Sequence, residues 1–143
     1  MTDAATSQTL LALLLYGAWT LALVAGIGSL RFVEVQFRGH RINTFKPSGE
    51  DVSPFSGRLC RAHANCYENL PVFAAIVLVA ILSGNAAITG PLALWCVAAR
   101  MGQSAVHLYS TRSRWVMLRF GFMVAQVAIQ IVWAVRLLVK LAV

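Results

Sequence analysis

Charge is what this sequence has least of. Only 12% of its 143 residues are Asp, Glu, Lys or Arg, about half the roughly 25% of an ordinary soluble domain. Acids are scarcest, 5 against 12 basic residues. With 59% hydrophobic residues and a positive mean hydropathy, so short a chain could not cover a globular surface with polar groups. A soluble enzyme and a disordered tail are thereby excluded, and lipid is the expected solvent. Cysteine is sparse too: Cys60, Cys66 and Cys96 are an odd number without metal-ligand spacing. They indicate neither a disulfide scaffold nor a metal site and read as small packing residues. No Ser-His-Asp set or phosphate-binding glycine loop is evident. The opening MTDAATSQTL has no Lys or Arg, so it lacks the basic start of a cleaved signal peptide, and the first apolar run is expected to remain as a span.

What is present is a series of apolar runs. A helix needs about 20 apolar residues to cross the hydrocarbon, and residues 4–30 carry no charge, which places a first span over 9–30. Residues 120–135 are again uncharged, with Trp115 and Arg119 before them and Arg136 and Lys140 after, as suits interfacial anchoring and snorkelling. This predicts a last span over 115–138. Between these lies an uncharged stretch, Asn69 to Ala99, interrupted by Ser83-Gly84-Asn85 and Thr89-Gly90-Pro91. Gly-Pro is a strong turn signal, so two helices are expected, over 58–82 and 91–108, each extending into polar sequence. A single span across the break would give three helices instead. The expected architecture is all-α: one integral membrane domain over 1–143, folded as a four-helix bundle.

Polar residues at membrane depth should share one face and look into the bundle. At about 100° per residue, Arg58, Arg61, Asn65, Glu68 and Asn69 fall at roughly 0, 300, 340, 280 and 20°. Arg100, Gln103, Ser104 and His107 fall at about 0, 300, 40 and 340°. Two polar stripes on consecutive helices point to an internal site, while His63 lies off the first stripe and is assigned a structural role.

The net charge of +7 is not spread as a nucleic-acid-binding face. It is concentrated in the 38–58 connection, with Arg38, His40, Arg41, Lys46 and Arg58, and in the 108–114 connection, with Arg112 and Arg114. Positive loops stay cytoplasmic, so both connections are expected there and both termini on the opposite side. Arg58, Arg61, Arg100 and Arg114 then cluster toward the cytoplasmic ends of the middle spans, opposed by one acid, Glu68. Guanidinium groups match carboxylates, and Glu68 can hold an ammonium group or fix an arginine. A ligand with carboxylates, an amine and an apolar partner in the bilayer would satisfy both. Arg100, deep in its helix, is the hardest to read as a snorkelling residue, since an arginine there costs about 2.5–3.5 kcal/mol on insertion scales.

The run Arg61-Ala62-His63-Ala64-Asn65-Cys66-Tyr67-Glu68, followed by Pro71-Val72-Phe73, resembles the second-helix signature of the MAPEG family, the membrane-associated proteins of eicosanoid and glutathione metabolism. The resemblance extends over nearly the whole chain in length, four-span topology and long first loop. It implies a homotrimer with glutathione held between subunits at the cytoplasmic side. Carried over by position, Arg61, Asn65 and Glu68 match glutathione-contacting residues, with Arg58 an added candidate. Arg100 matches a family arginine, and Gln103 and His107 stand where members carry His or Tyr and then Tyr. Arg114, seven residues after His107, has the spacing of the arginine that holds the glutathione thiolate in leukotriene-forming members. Arg38, ending the first helix, completes the set. Ala64 replaces the arginine of the prostaglandin synthase members, which argues against prostaglandin E chemistry.

The resemblance therefore implies a glutathione transferase or peroxidase acting on a lipophilic electrophile, with Arg114 stabilising the thiolate. A non-catalytic lipid-binding scaffold of the same fold is the alternative. The charge asymmetry makes the topology testable. A single cysteine placed in the 38–58 loop of a cysteine-free chain should label with an impermeant maleimide from the cytoplasmic side only, and labelling from outside would reverse the orientation.

Overall fold

The computed structural model describes residues 3–142. Met1, Thr2 and Val143, at the ends of the domain expected over 1–143, lie outside the described residues. Four helices account for nearly all of it, with no strand among the described residues: α1 (Ala4–Arg38), α2 (Pro54–Leu82), α3 (Gly90–Tyr109) and α4 (Ser113–Ala142). The chain turns between Leu82 and Gly90 through a short 3-10 segment, Ala86–Ile88, so it does not run through the break as one helix. Three helices, α1, α2 and α4, are long and apolar enough to cross a membrane. α3 is not among them because Arg100, Gln103 and His107 dilute its apolar residues. At about 1.5 Å per residue, its 20 residues still match the hydrocarbon thickness of about 30 Å.

Local sequence sets the ends of these elements. Asp3 caps α1 by accepting the Thr6 N–H at 2.6 Å, and hydrogen bonding to the Thr6 side chain, then to this N–H, holds its carboxyl below the usual carboxylate range. Ser53 caps α2 by accepting the Ser56 N–H at 3.0 Å, and Pro54 follows in the first turn, where its missing N–H has no helical role. Pro71 lies inside α2, where it removes the donor that the Tyr67 carbonyl would otherwise receive.

α3 is the centre of the arrangement. It packs along both α1 and α4 and also touches α2, while α1 packs along α2. α2 and α4 scarcely meet. The core is formed by Ala12, Tyr16, Leu23, Phe73, Val77, Ala93, Cys96, Val97 and Trp133, all nearly inaccessible. All three cysteines are free and buried, the packing role expected of them. At the end where α2 turns into α3, Thr9 and Thr89 share a buried hydroxyl bond of 3.0 Å. Arg58 and Leu108 meet at the opposite end, which also carries the 39–53 and 110–112 connections.

The longer connection is ordered against the helices. His40 stacks on Phe45 with centroids 4.4 Å apart, and Arg31 of α1 lies 5.3 Å from the same ring. Asp51 accepts the Lys46 N–H at 3.1 Å. That bond, ahead of the nearby His40 and Lys46 charges, holds its carboxyl below the usual range. The turn closed by Asp51 is therefore retained into mild acid and loses this support only as pH falls through the lowered value.

The α1–α3 contact depends on one residue without a side chain. A Cβ built on Gly90 would lie 2.8 Å from the Ala5 Cα and 3.0 Å from the Ala5 carbonyl oxygen, both backbone atoms that cannot move by rotamer change. Gly90→Ala is expected to destabilise the fold by about 1–3 kcal/mol, read as a lowered thermal midpoint in detergent. An unchanged midpoint would show that α1 yields at this point.

Candidate functional site

The polar stripes of α2 and α3 meet because α2 and α4 do not close over α3. Between them runs a cleft of about 410 Å³. Asn65, Glu68 and Asn69 of α2, Arg100 and Gln103 of α3 and Gln130 of α4 form its polar lining. Val72 and Ile76 of α2 and Met123, Val127, Ile131 and Ala134 of α4 form its apolar lining. Toward the loop end a smaller hollow of about 190 Å³ shares Asn65, Gln103 and Met123 with it and adds His107, Val116, Arg119 and Phe120. The sites expected at Asn65, Glu68, Arg100, Gln103 and His107 thus fall on one continuous depression.

Arg100 holds the middle of this surface and is only 3% exposed. Its guanidinium donates to the Asn65 carbonyl at 3.2 Å and lies 5.7 Å from the centroid of the Tyr16 ring, within cation–π range. Among the described residues no acid pairs with it. Its Nε is buried without a hydrogen-bond partner, as is the Asn69 Oδ1. A donor and an acceptor with unused capacity therefore belong to residues lining the cleft, an arrangement costly to leave unmet.

Arg58 and Arg61 occupy a separate cavity at the loop end, about 330 Å³ in volume, shared with Glu50, Pro54, Gly57 and Thr111. Arg58 Nε donates to the Leu108 carbonyl at 2.8 Å, fastening α2 to the end of α3. The Arg61 guanidinium pairs with the Glu50 carboxylate. Arg38 and Arg114 stand apart from all three hollows. Arg38 pairs with Glu34 at 2.6 Å on an exposed flank of α1, and Arg114 is exposed, 5.4 Å from the ring of its neighbour Trp115.

A third polar stripe, on α4, escapes the reading of the middle helices. Arg119, Gln126 and Gln130 fall at about 0, 340 and 20° on a helical wheel, the same signal that exposes the stripes on α2 and α3. Gln126 is fully buried, donating to the Gln103 side-chain oxygen at 3.1 Å and to the Phe122 carbonyl at 2.8 Å. Gln130 Nε2 lies 3.9 Å from the Cys96 sulfur. These glutamines position α4 against α3 and orient Gln103 within the cleft. No group of three or more His, Cys, Asp or Glu suited to a metal occurs among the described residues.

In comparisons with known proteins, the model of the MAPEG family matches residues 9–139. No curated protein and no solved structure gives a match.

The surroundings of Arg100 separate structure from function. Its removal leaves the Asn65 carbonyl its backbone donor four residues on, and it eliminates a buried cation with an unsatisfied nitrogen. Arg100→Leu is therefore expected to leave the thermal midpoint unchanged or higher while ligand binding in the cleft falls at least about tenfold, the scale of a charge-assisted bond. Measuring both on the same detergent preparation checks this, and a marked loss of stability would make Arg100 a structural residue.

Proposed function

The chain belongs to the MAPEG family, and from that premise we propose that it is a glutathione-dependent transferase or peroxidase acting on lipophilic electrophiles. Membership makes it a membrane protein of the glutathione and eicosanoid metabolism kind. The observation that carries the finer reading is the cleft, where Asn65, Glu68, Arg100 and Gln103 adjoin the apolar walls of α2 and α4. Such a surface accepts a polar thiol and an apolar partner side by side.

Glutathione suits the residues present. Its two carboxylates are assigned to Arg100 in the cleft and Arg61 in the hollow at the loop end, its ammonium group matches Glu68, and the unused Asn69 Oδ1 offers an acceptor to its peptide groups. When bound it supplies a sulfur nucleophile. The protein's part is to orient the thiol, exclude water with the α2 and α4 walls, and stabilise negative charge on sulfur. A neighbouring cation lowers a thiol pKa from about 8.5, and Arg114 is the residue assigned to that task. Positioning and charge stabilisation then carry the reaction without a proton-shuttling triad.

Arg114 lies away from the cleft of its own chain, so this assignment requires a second chain. In the proposed homotrimer, α1 and α2 of one copy face α3 and α4 of the next, bringing Arg38, Arg61 and Glu68 toward a neighbour's Arg114. Exposure of Ala18, Ala22 and Ala25 on α1 supports close approach of helices in lipid, where small residues take the place of a hydrophobic drive. The apolar half of the cleft favours one other reading, a lipid-binding scaffold without turnover.

Glutathione titration and conjugation with a lipophilic aryl halide, both in detergent, test these assignments. Glu68→Ala should weaken binding by about 10–100-fold with unchanged elution on size exclusion. Arg114→Ala should lose conjugation, and mixing it with Glu68→Ala should restore activity above that of either variant alone through shared sites. Unchanged affinity in Glu68→Ala would remove the site assignment. Binding without turnover in the native protein would favour the scaffold.

A further inference from the structure

Arg61 is not free to meet a ligand as it stands, because its guanidinium is paired with Glu50. Glu50 reaches it from a turn whose shape is built by several independent contacts. The Gly49 N–H donates to the Lys46 carbonyl at 3.0 Å, and the Val52 N–H donates to the Gly49 carbonyl at 3.3 Å. Asp51 closes the same turn on the Lys46 N–H, and Arg31 of α1 donates to the Lys46 carbonyl at 3.2 Å. On the α2 side the turn lies directly over Gly57, where a Cβ would stand 3.0 Å from the Glu50 Cγ. Gly57 is what lets the carboxylate lie down beside the first turns of α2. The backbone at Glu50 is thus fixed by the fold of the connection, and from it the exposed side chain reaches Arg61.

The pair is nevertheless weak. Both side chains are more than half exposed, 59% for Arg61 and 56% for Glu50, and exposed pairs contribute little. Their cavity holds two guanidinium groups, Arg58 and Arg61, against the one carboxylate, which leaves a surplus positive charge. Arg58 already gives its Nε to Leu108, so Arg61 is the guanidinium whose pairing can change without loosening α2 from α3.

We propose that Glu50 is a resident counter-ion that an incoming ligand carboxylate displaces from Arg61. The 46–52 turn thereby sets the affinity of the site for carboxylates and its preference for them over neutral analogues. The inference rests on the assignment of Arg61 to glutathione and goes beyond it by naming the group that competes for the same guanidinium. Exchange of one carboxylate for another keeps Arg61 neutralised throughout, and the freed Glu50 turns to solvent at little cost because it is already exposed.

Native protein, Glu50→Gln and Glu50→Ala would each be titrated with glutathione and with its diethyl ester, which lacks free carboxylates. Both substitutions should tighten glutathione binding by about two- to fivefold, the range of an exposed ion pair, and leave the ester unchanged. An equal gain for the ester would reduce the effect to general charge and overturn the proposal. So would unchanged or weaker glutathione binding in both variants. Measurable native binding with no Glu50 effect would remove the counter-ion alone, whereas no binding in any variant would remove the glutathione reading and the counter-ion together.

Discussion

A guanidinium buried in a membrane bundle and ion-paired with no acid among the described residues is the constraint on which the rest of this structure depends. Arg100 cannot face lipid, so the α3 face that carries it must turn inward, and with it turn Gln103, Ser104 and His107, all buried. α3 in consequence lies against the other three helices. The charge is met by a carbonyl of α2 and the ring of Tyr16 on α1, groups that are already part of the bundle and need no compensating carboxylate. What these do not satisfy, the Nε edge, belongs to a residue that lines the cleft.

The cleft follows from the same constraint. Helices in lipid associate through close packing and interhelical hydrogen bonds, and α2 presents Asn65, Glu68 and Asn69 where apolar packing against α4 would be needed. α2 and α4 scarcely meet, while Gln126 and Gln130 bind α4 to α3. The separation leaves a groove that is polar on α3 and apolar along much of α4, and that gradient suits chemistry between a water-soluble thiol and a bilayer-dissolved partner. The family match over residues 9–139 and the groove left where α2 and α4 scarcely meet are independent facts.

Much of this was legible in the residue order. The uncharged runs, the turn at Ser83–Pro91 and the two inward polar stripes follow from hydropathy and the 3.6-residue period alone, and Arg100 announces itself as a cation too deep to snorkel. The α4 stripe was equally legible in principle, since Arg119, Gln126 and Gln130 obey the same period. It was hidden by the long apolar run around it, in which two glutamines look like tolerated exceptions. The loop was not legible. Lys46-Pro47-Ser48-Gly49 reads as either a cap or a mobile connector, and nothing in its composition tells which carboxylate of Glu50 and Asp51 closes the turn and which reaches Arg61.

The sequence by itself determined a lipid-embedded helical chain and the helix faces that must avoid lipid, because both depend on side chains one to four residues apart. Only the tertiary structure decided which of the arginines share a hollow. Arg58 and Arg61 fall into one cavity, Arg100 into another, and Arg38 and Arg114 into neither. That sorting depends on the packing of helices through contacts 23 to 80 residues apart, and on loop geometry set by backbone hydrogen bonds, neither of which leaves a periodic trace in the chain.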